Sequence, residues 1–83
     1  MINKPNLEDC NEYAVEIVER NPGKYTCANL IRSIQDYSEV FQHSRVKIGQ
    51  ALDIIENLAR QKEICFESGK ATGIELSERC FPL

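Results

Sequence analysis

The sequence predicts one small, mainly helical domain that closes with a short β-hairpin. Three observations predict it. The chain has 83 residues, the length of a single domain that removes roughly 60% of its unfolded surface on folding. Three stretches space apolar residues three or four apart, as helices with one buried face do. Two later stretches, residues 64–67 and 74–77, alternate apolar and less apolar residues at the period of a half-buried strand. The expected domain spans residues 1–83.

The first helix is expected over residues 6–20. Leu7, Cys10, Ala14, Ile17 and Val18 form its apolar stripe, Asn6 is placed to cap its first turn, and Asn21-Pro22-Gly23 ends it. Its other face carries Glu8, Asp9, Glu12, Glu16 and Glu19, with no basic residue between Leu7 and Glu19; such a row is ordinarily a solvated face. The second helix is expected over 27–38, capped by Thr26 and striped by Leu30, Ile31, Ile34 and Tyr37. Residues 39–44 have no clean period, so Val40 and Phe41 are read as folding back on the core and Ser44 as the cap of the next helix.

The third helix is expected over 45–62, from the repeat Ile48, Ala51, Leu52, Ile55, Leu58 and Ala59. Gly49 inside it costs about 1 kcal/mol relative to alanine, which suggests a place where another backbone comes close. The segment Glu67-Ser68-Gly69-Lys70-Ala71-Thr72-Gly73 joins the two strands. Its Gly-Lys pair resembles a phosphate-gripping loop only superficially. Such a loop needs a glycine five positions earlier, where Ile64 stands, a hydroxyl residue directly after the lysine, where Ala71 stands, and a helix next rather than a strand. Lys70 is therefore read as the tip of a hairpin.

Apolar residues at 42% and charged residues at 28% match a soluble globular protein. No apolar run reaches the about 18 residues of a membrane span. The polar start Met1-Ile2-Asn3-Lys4-Pro5-Asn6 lacks the layout of a secretion signal, so a cytoplasmic location is expected. Cys10, Cys27, Cys65 and Cys80 contain no C-x-x-C spacing, and His43, the lone histidine, is remote from all four in sequence. Reduced structural thiols are the first reading, with a disulfide and a metal site as alternatives; no metal or cofactor is expected. One histidine, and no cysteine beside a candidate base, leave no visible nucleophile or acid–base pair, so no enzyme activity is expected.

Three helices followed by a two-stranded hairpin give the layout of winged helix domains. The run from Ser44 through Arg45, Val46, Lys47, Ile48, Gly49 and Gln50 to the Ala51-Leu52 pair, Leu58 and the link Arg60-Gln61-Lys62 resembles the recognition helix of that superfamily and its entry into the wing. The resemblance extends from Leu7 to Ser77 and implies a mainly α fold with a two-stranded antiparallel wing. It also implies DNA binding, with the start of the third helix in the major groove and the wing on an adjacent backbone. Carried over by position, Arg45, Lys47 and Gln50 would meet bases or phosphates and Lys70 would be the wing contact. Ser44 and Thr26, as caps, would leave N–H groups near a phosphate, and His43 would touch one.

The function expected from this resemblance is sequence-specific binding of double-stranded DNA by a small transcriptional regulator. Residues 43–50 hold Arg45 and Lys47 and no acid, although the whole chain carries a net charge of −3. The alternative is a protein-interaction module that uses Glu8, Glu12, Glu16 and Glu19 on the first helix to meet a basic partner, without DNA. The apolar tail 78–83 is read either as packing on the first helix or as a homodimer contact through Phe81 and Leu83.

Overall fold

A computed structural model describes residues 6–83; the polar start of the chain, apart from Asn6, lies outside them. The elements follow in the order α1 (Leu7–Arg20), β1 (Tyr25–Thr26), α2 (Cys27–Gln42), α3 (Ile48–Arg60), β2 (Ile64–Phe66) and β3 (Arg79–Pro82). The fold is mainly helical with a small antiparallel sheet of three strands in the order β1-β3-β2. No helix among the described residues is long and apolar enough to cross a membrane.

Two of the three expected caps form. The Asn6 side chain accepts the Asp9 N–H at 3.0 Å and that of Thr26 accepts the Asn29 N–H at 3.1 Å. At the other end of α1, Asn21 donates its side-chain amide to the Ile17 carbonyl at 2.9 Å. The chain then reverses at Gly23, whose φ of +70° favours glycine.

The second strand of the hairpin is displaced from its expected place. Residues 74–77 form no strand; the segment read as a tail, Arg79–Pro82, lies in the middle of the sheet. Its register pairs Tyr25 with Cys80 and Thr26 with Arg79 on one side, and Ile64 with Pro82, Cys65 with Phe81 and Phe66 with Cys80 on the other. Directly opposed residues share a face, so Phe66 and Cys80 both enter the core while Cys65 and Phe81 are half-buried on the outer side. Pro82 is tolerated because β1 pairs only as far as Cys80 and leaves it a single neighbour. The sequence of residues 74–77 alternates, but only Ile74 is buried and Leu76 is exposed like its neighbours. Their backbone serves α2 instead: the Leu76 and Glu78 carbonyls accept the Ala28 and Cys27 N–H groups at 3.0 and 2.9 Å.

α2 runs on to Gln42, four residues past its expected end, and α3 starts at Ile48, three after its expected start. Buried Ser38 explains the path between them. Its hydroxyl donates to the Gln35 carbonyl at 2.8 Å and accepts the Val46 N–H at 2.9 Å, while the Gln35 side chain donates to the Val46 carbonyl at 3.1 Å. With both polar backbone groups satisfied, Val46 inserts into the core. Val40 and Phe41, expected to do that, are exposed on α2. Ser44 caps nothing. Lys47 holds the N-cap position of α3, and its N–H is accepted by the Gln50 side chain at 2.9 Å. α2 is capped by left-handed His43 at φ 55°, and the chain after α3 turns at left-handed Lys62, φ 61°, just past the cap residue Gln61.

One core joins all the elements: Val18 from α1, Leu30 and Ile34 from α2, Ile55 and Leu58 from α3, Ile64 from β2 and Cys80 from β3 are almost fully buried. Each large aliphatic side chain contributes about 1.5–3 kcal/mol by leaving water.

Two glycines behave oppositely. A Cβ on Gly23 would lie 2.8 Å from the Phe81 ring at φ +70°, whereas one on Gly49 would meet nothing within 4 Å, so no backbone approaches that position. Gly23→Ala is expected to destabilise the protein by about 1–2 kcal/mol and Gly49→Ala to stabilise it by about 0.5 kcal/mol, measured by urea denaturation.

Candidate functional site

Several of the residues expected to face DNA are already engaged within the chain. Arg45 precedes α3 and turns back on α2, where its guanidinium meets Asp36 at 2.9 Å and Glu39 at 3.3 Å and donates to the Gln35 side chain at 3.4 Å. Its charge is thus neutralised locally. The Gln50 side-chain oxygen is occupied by the Lys47 N–H. Around Thr26, the three N–H groups that open α2 are taken by the Glu78 and Leu76 carbonyls and by the Thr26 hydroxyl, which leaves none for a phosphate. Ser44 and His43 lie in the turn after α2. Lys47 and Lys70 are exposed and make no ion pair among the described residues, while α3 adds exposed Asp53.

The loop that carries Lys70 is ordered by a carboxylate. Glu78 accepts the Ser68 and Glu75 N–H groups, each at 2.9 Å; its carboxyl is held below the usual carboxylate range first by the Ser68 side chain and then by these backbone bonds.

The acidic side of α1 forms a groove. Glu8, Glu12, Glu16 and Glu19 line it with Glu63, the residue before β2, around Asn11 and Val15, enclosing about 370 Å³. Glu63 escapes a reading of the α1 sequence because only the tertiary fold brings it there. Among the described residues, the one ion pair of these glutamates is Glu16 with Arg20 at 2.6 Å, and it is well exposed, worth at most about 1 kcal/mol. The repeats Glu8–Glu12 and Glu12–Glu16 oppose like charges one turn apart, costing about 0.2–0.5 kcal/mol each. The side-chain oxygen of Asn11 is buried without a partner.

Asp9 leaves this row and works on the other side of α1. Its carboxylate accepts the Tyr37 hydroxyl at 2.6 Å and the Gln42 amide at 3.1 Å, and Gln42 also spans to the Asn6 backbone, accepting its N–H at 2.9 Å and donating to its carbonyl at 3.1 Å. Tyr37 stacks on Tyr13 with ring centres 4.1 Å apart. This clamp sets the angle at which α1 presents its acids. It shifts two ionisations: Asp9 is held below its ordinary value by the hydrogen bonds from Tyr37 and Gln42, and Tyr37 is pushed up to about 12, first by its bond to Asp9 and then by burial.

A second, apolar groove of about 220 Å³ lies among Ala28, Ile31, Arg32, Gln35, Ile48 and Leu76. Ile48 and Leu76 are 64% and 58% exposed, high for aliphatic residues. The hydrophobic period of α3 hid this surface, since Ile48 reads there as core.

Phe81 packs its ring over Gly23 within its own chain, and Leu83 is 71% exposed. All four cysteines are free: Cys10, Cys27 and Cys80 are buried, and burial pushes their thiols up, that of Cys80 to about 12. No group of three or more His, Cys, Asp or Glu suited to a metal occurs among the described residues. No protein-family model, curated protein or solved structure matches the chain.

The clamp has a pH signature. The folded pKa of Asp9 is depressed, so its contribution is present above the unfolded carboxyl value of about 3.9 and is lost as pH falls through the folded value. Tyr37→Phe keeps the ring and removes the hydroxyl. Thermal unfolding should show this variant less stable than wild type at pH 7, with the difference shrinking as pH falls below about 4.

Proposed function

We propose that the chain is a winged helix domain that works as a protein-interaction module, receiving a basic segment of a partner along the acidic side of α1. The element order helix-strand-helix-helix-strand-strand, with the last strand central in the sheet, supports the winged helix reading. The observation that carries the functional reading is the groove lined by Glu8, Glu12, Glu16, Glu19 and Glu63. These acids weaken the helix that bears them, and opposite charge on a partner would turn that repulsion into attraction and speed encounter. Fold alone does not fix function, and winged helices serve proteins as well as DNA.

A second reading, DNA binding, is favoured by the unpaired and exposed Lys47 and Lys70 at the start of α3 and in the wing. Two phosphate contacts give weak binding and a salt slope of only about 2. Neutralised Arg45 and the closed N-terminus of α2 argue for the protein partner.

One pair of variants separates the readings. Glu12→Lys with Glu16→Lys should weaken capture of the chain's partner by about tenfold or more, as followed by quantitative pull-down and then titration of the captured protein. The same change should leave duplex binding, followed by anisotropy at low salt, unchanged or stronger. Unaltered partner capture, together with duplex binding lost in Lys47→Ala, would reverse the assignment.

A further inference from the structure

We infer that the apolar groove among α2, the start of α3 and the β2–β3 loop docks a peptide segment whose apolar side chains are accompanied by a carboxylate. Its volume of about 220 Å³ lies below the roughly 300–1,000 Å³ of small-molecule pockets, so it suits one or two anchoring side chains rather than a whole ligand. The walls are apolar: Ala28 and Ile31 from α2, Ile48 from the first position of α3, and Leu76 from the loop. Exposing Ile48 and Leu76 to water forgoes the apolar burial that a partner covering them would supply.

Each wall is fixed by bonds already in place. The Leu76 carbonyl holds the Ala28 N–H at 3.0 Å, and Gln35 is tied to the Val46 carbonyl at 3.1 Å. The first turn of α3 is closed by Gln50. A groove held this way loses little entropy when filled.

Charge complementarity selects the occupant. Arg32 is the only ionisable residue lining the groove. It is exposed and has no hydrogen bond or ion pair among the described residues, whereas Arg45 is held by Asp36 and Glu39. Lys47, also unpaired, directly precedes Ile48. An apolar anchor beside a carboxylate satisfies the walls and the guanidinium together, the latter with two parallel hydrogen bonds. A nucleic acid backbone would leave the aliphatic walls uncovered. No residue lines both this groove and the acidic one, so the module has two separate surfaces for partners of opposite charge.

The test uses the full chain and a displayed library of random linear peptides, with the enriched sequences resynthesised for titration. The expected peptides combine bulky apolar residues with Asp or Glu. Ile48→Ser and Arg32→Glu should each weaken them by about tenfold or more, and changing the peptide carboxylate to lysine should restore binding to Arg32→Glu. Both substitutions are at exposed positions, so circular dichroism should show an intact fold. Glu12→Lys with Glu16→Lys should leave peptide affinity unchanged, which separates this surface from the α1 reading. The inference is overturned if no peptide is enriched, if those enriched are basic, or if Ile48→Ser leaves binding intact. It is equally overturned if sedimentation finds a dimer that Ile48→Ser dissolves, because a second copy then fills the groove.

Discussion

The insertion of Arg79–Pro82 between Tyr25–Thr26 and Ile64–Phe66 is the constraint from which the rest of the fold follows. A two-residue strand and a three-residue strand cannot hold together alone, but one shared neighbour ties the α1–α2 turn to the end of α3 and buries Cys80 beneath both. Once β3 is central, the chain before it must pass the N-terminus of α2, where Leu76 and Glu78 supply carbonyls to N–H groups that would otherwise be orphaned. The apolar groove is a by-product of that passage, since it is Leu76 that closes one side of it.

Polar side chains do the second half of the positioning. Gln42 and Asp9 bind α2 to the first turn of α1, and Ser38 with Gln35 draws Val46 inward. The consequence for charge is direct. Arg45, carried next to α2 by its neighbour Val46, is spent on Asp36 and Glu39, whereas the glutamates of α1 gather with Glu63 along one groove. The molecule therefore offers carboxylates along α1 and an apolar face with cations beside it at the start of α3.

Much of this was legible in the sequence wherever the signal is local. The caps Asn6 and Thr26, the stripe of α1, the stop at Asn21-Pro22-Gly23, the repeat of α3 and the strand at Ile64 depend on residues within a few positions of each other. The failures share a cause. Gln42 reads as a loop residue, because the bond that ties it to α1 reaches Asn6 across 36 positions, and the link from Ser38 to Val46 spans 8. The ends of α2 and α3 were misplaced because left-handed His43 and Lys62 do what glycine usually announces. β1 is too short to have a period, and without it Arg79–Pro82 has no visible reason to be a strand. Of the candidate sites, the glutamates on one side of α1 could be read from spacing alone; Glu63 and the groove around Ile48 and Leu76 required the fold.

The most direct measurement is the set of inter-strand nuclear Overhauser contacts in the labelled protein. Cys80 is predicted to contact Tyr25 on one side and Phe66 on the other, with Phe81 opposite Cys65. Contacts from residues 74–77 to residues 64–66, in place of those from Cys80, would put a different strand in the sheet and remove the basis for both surfaces.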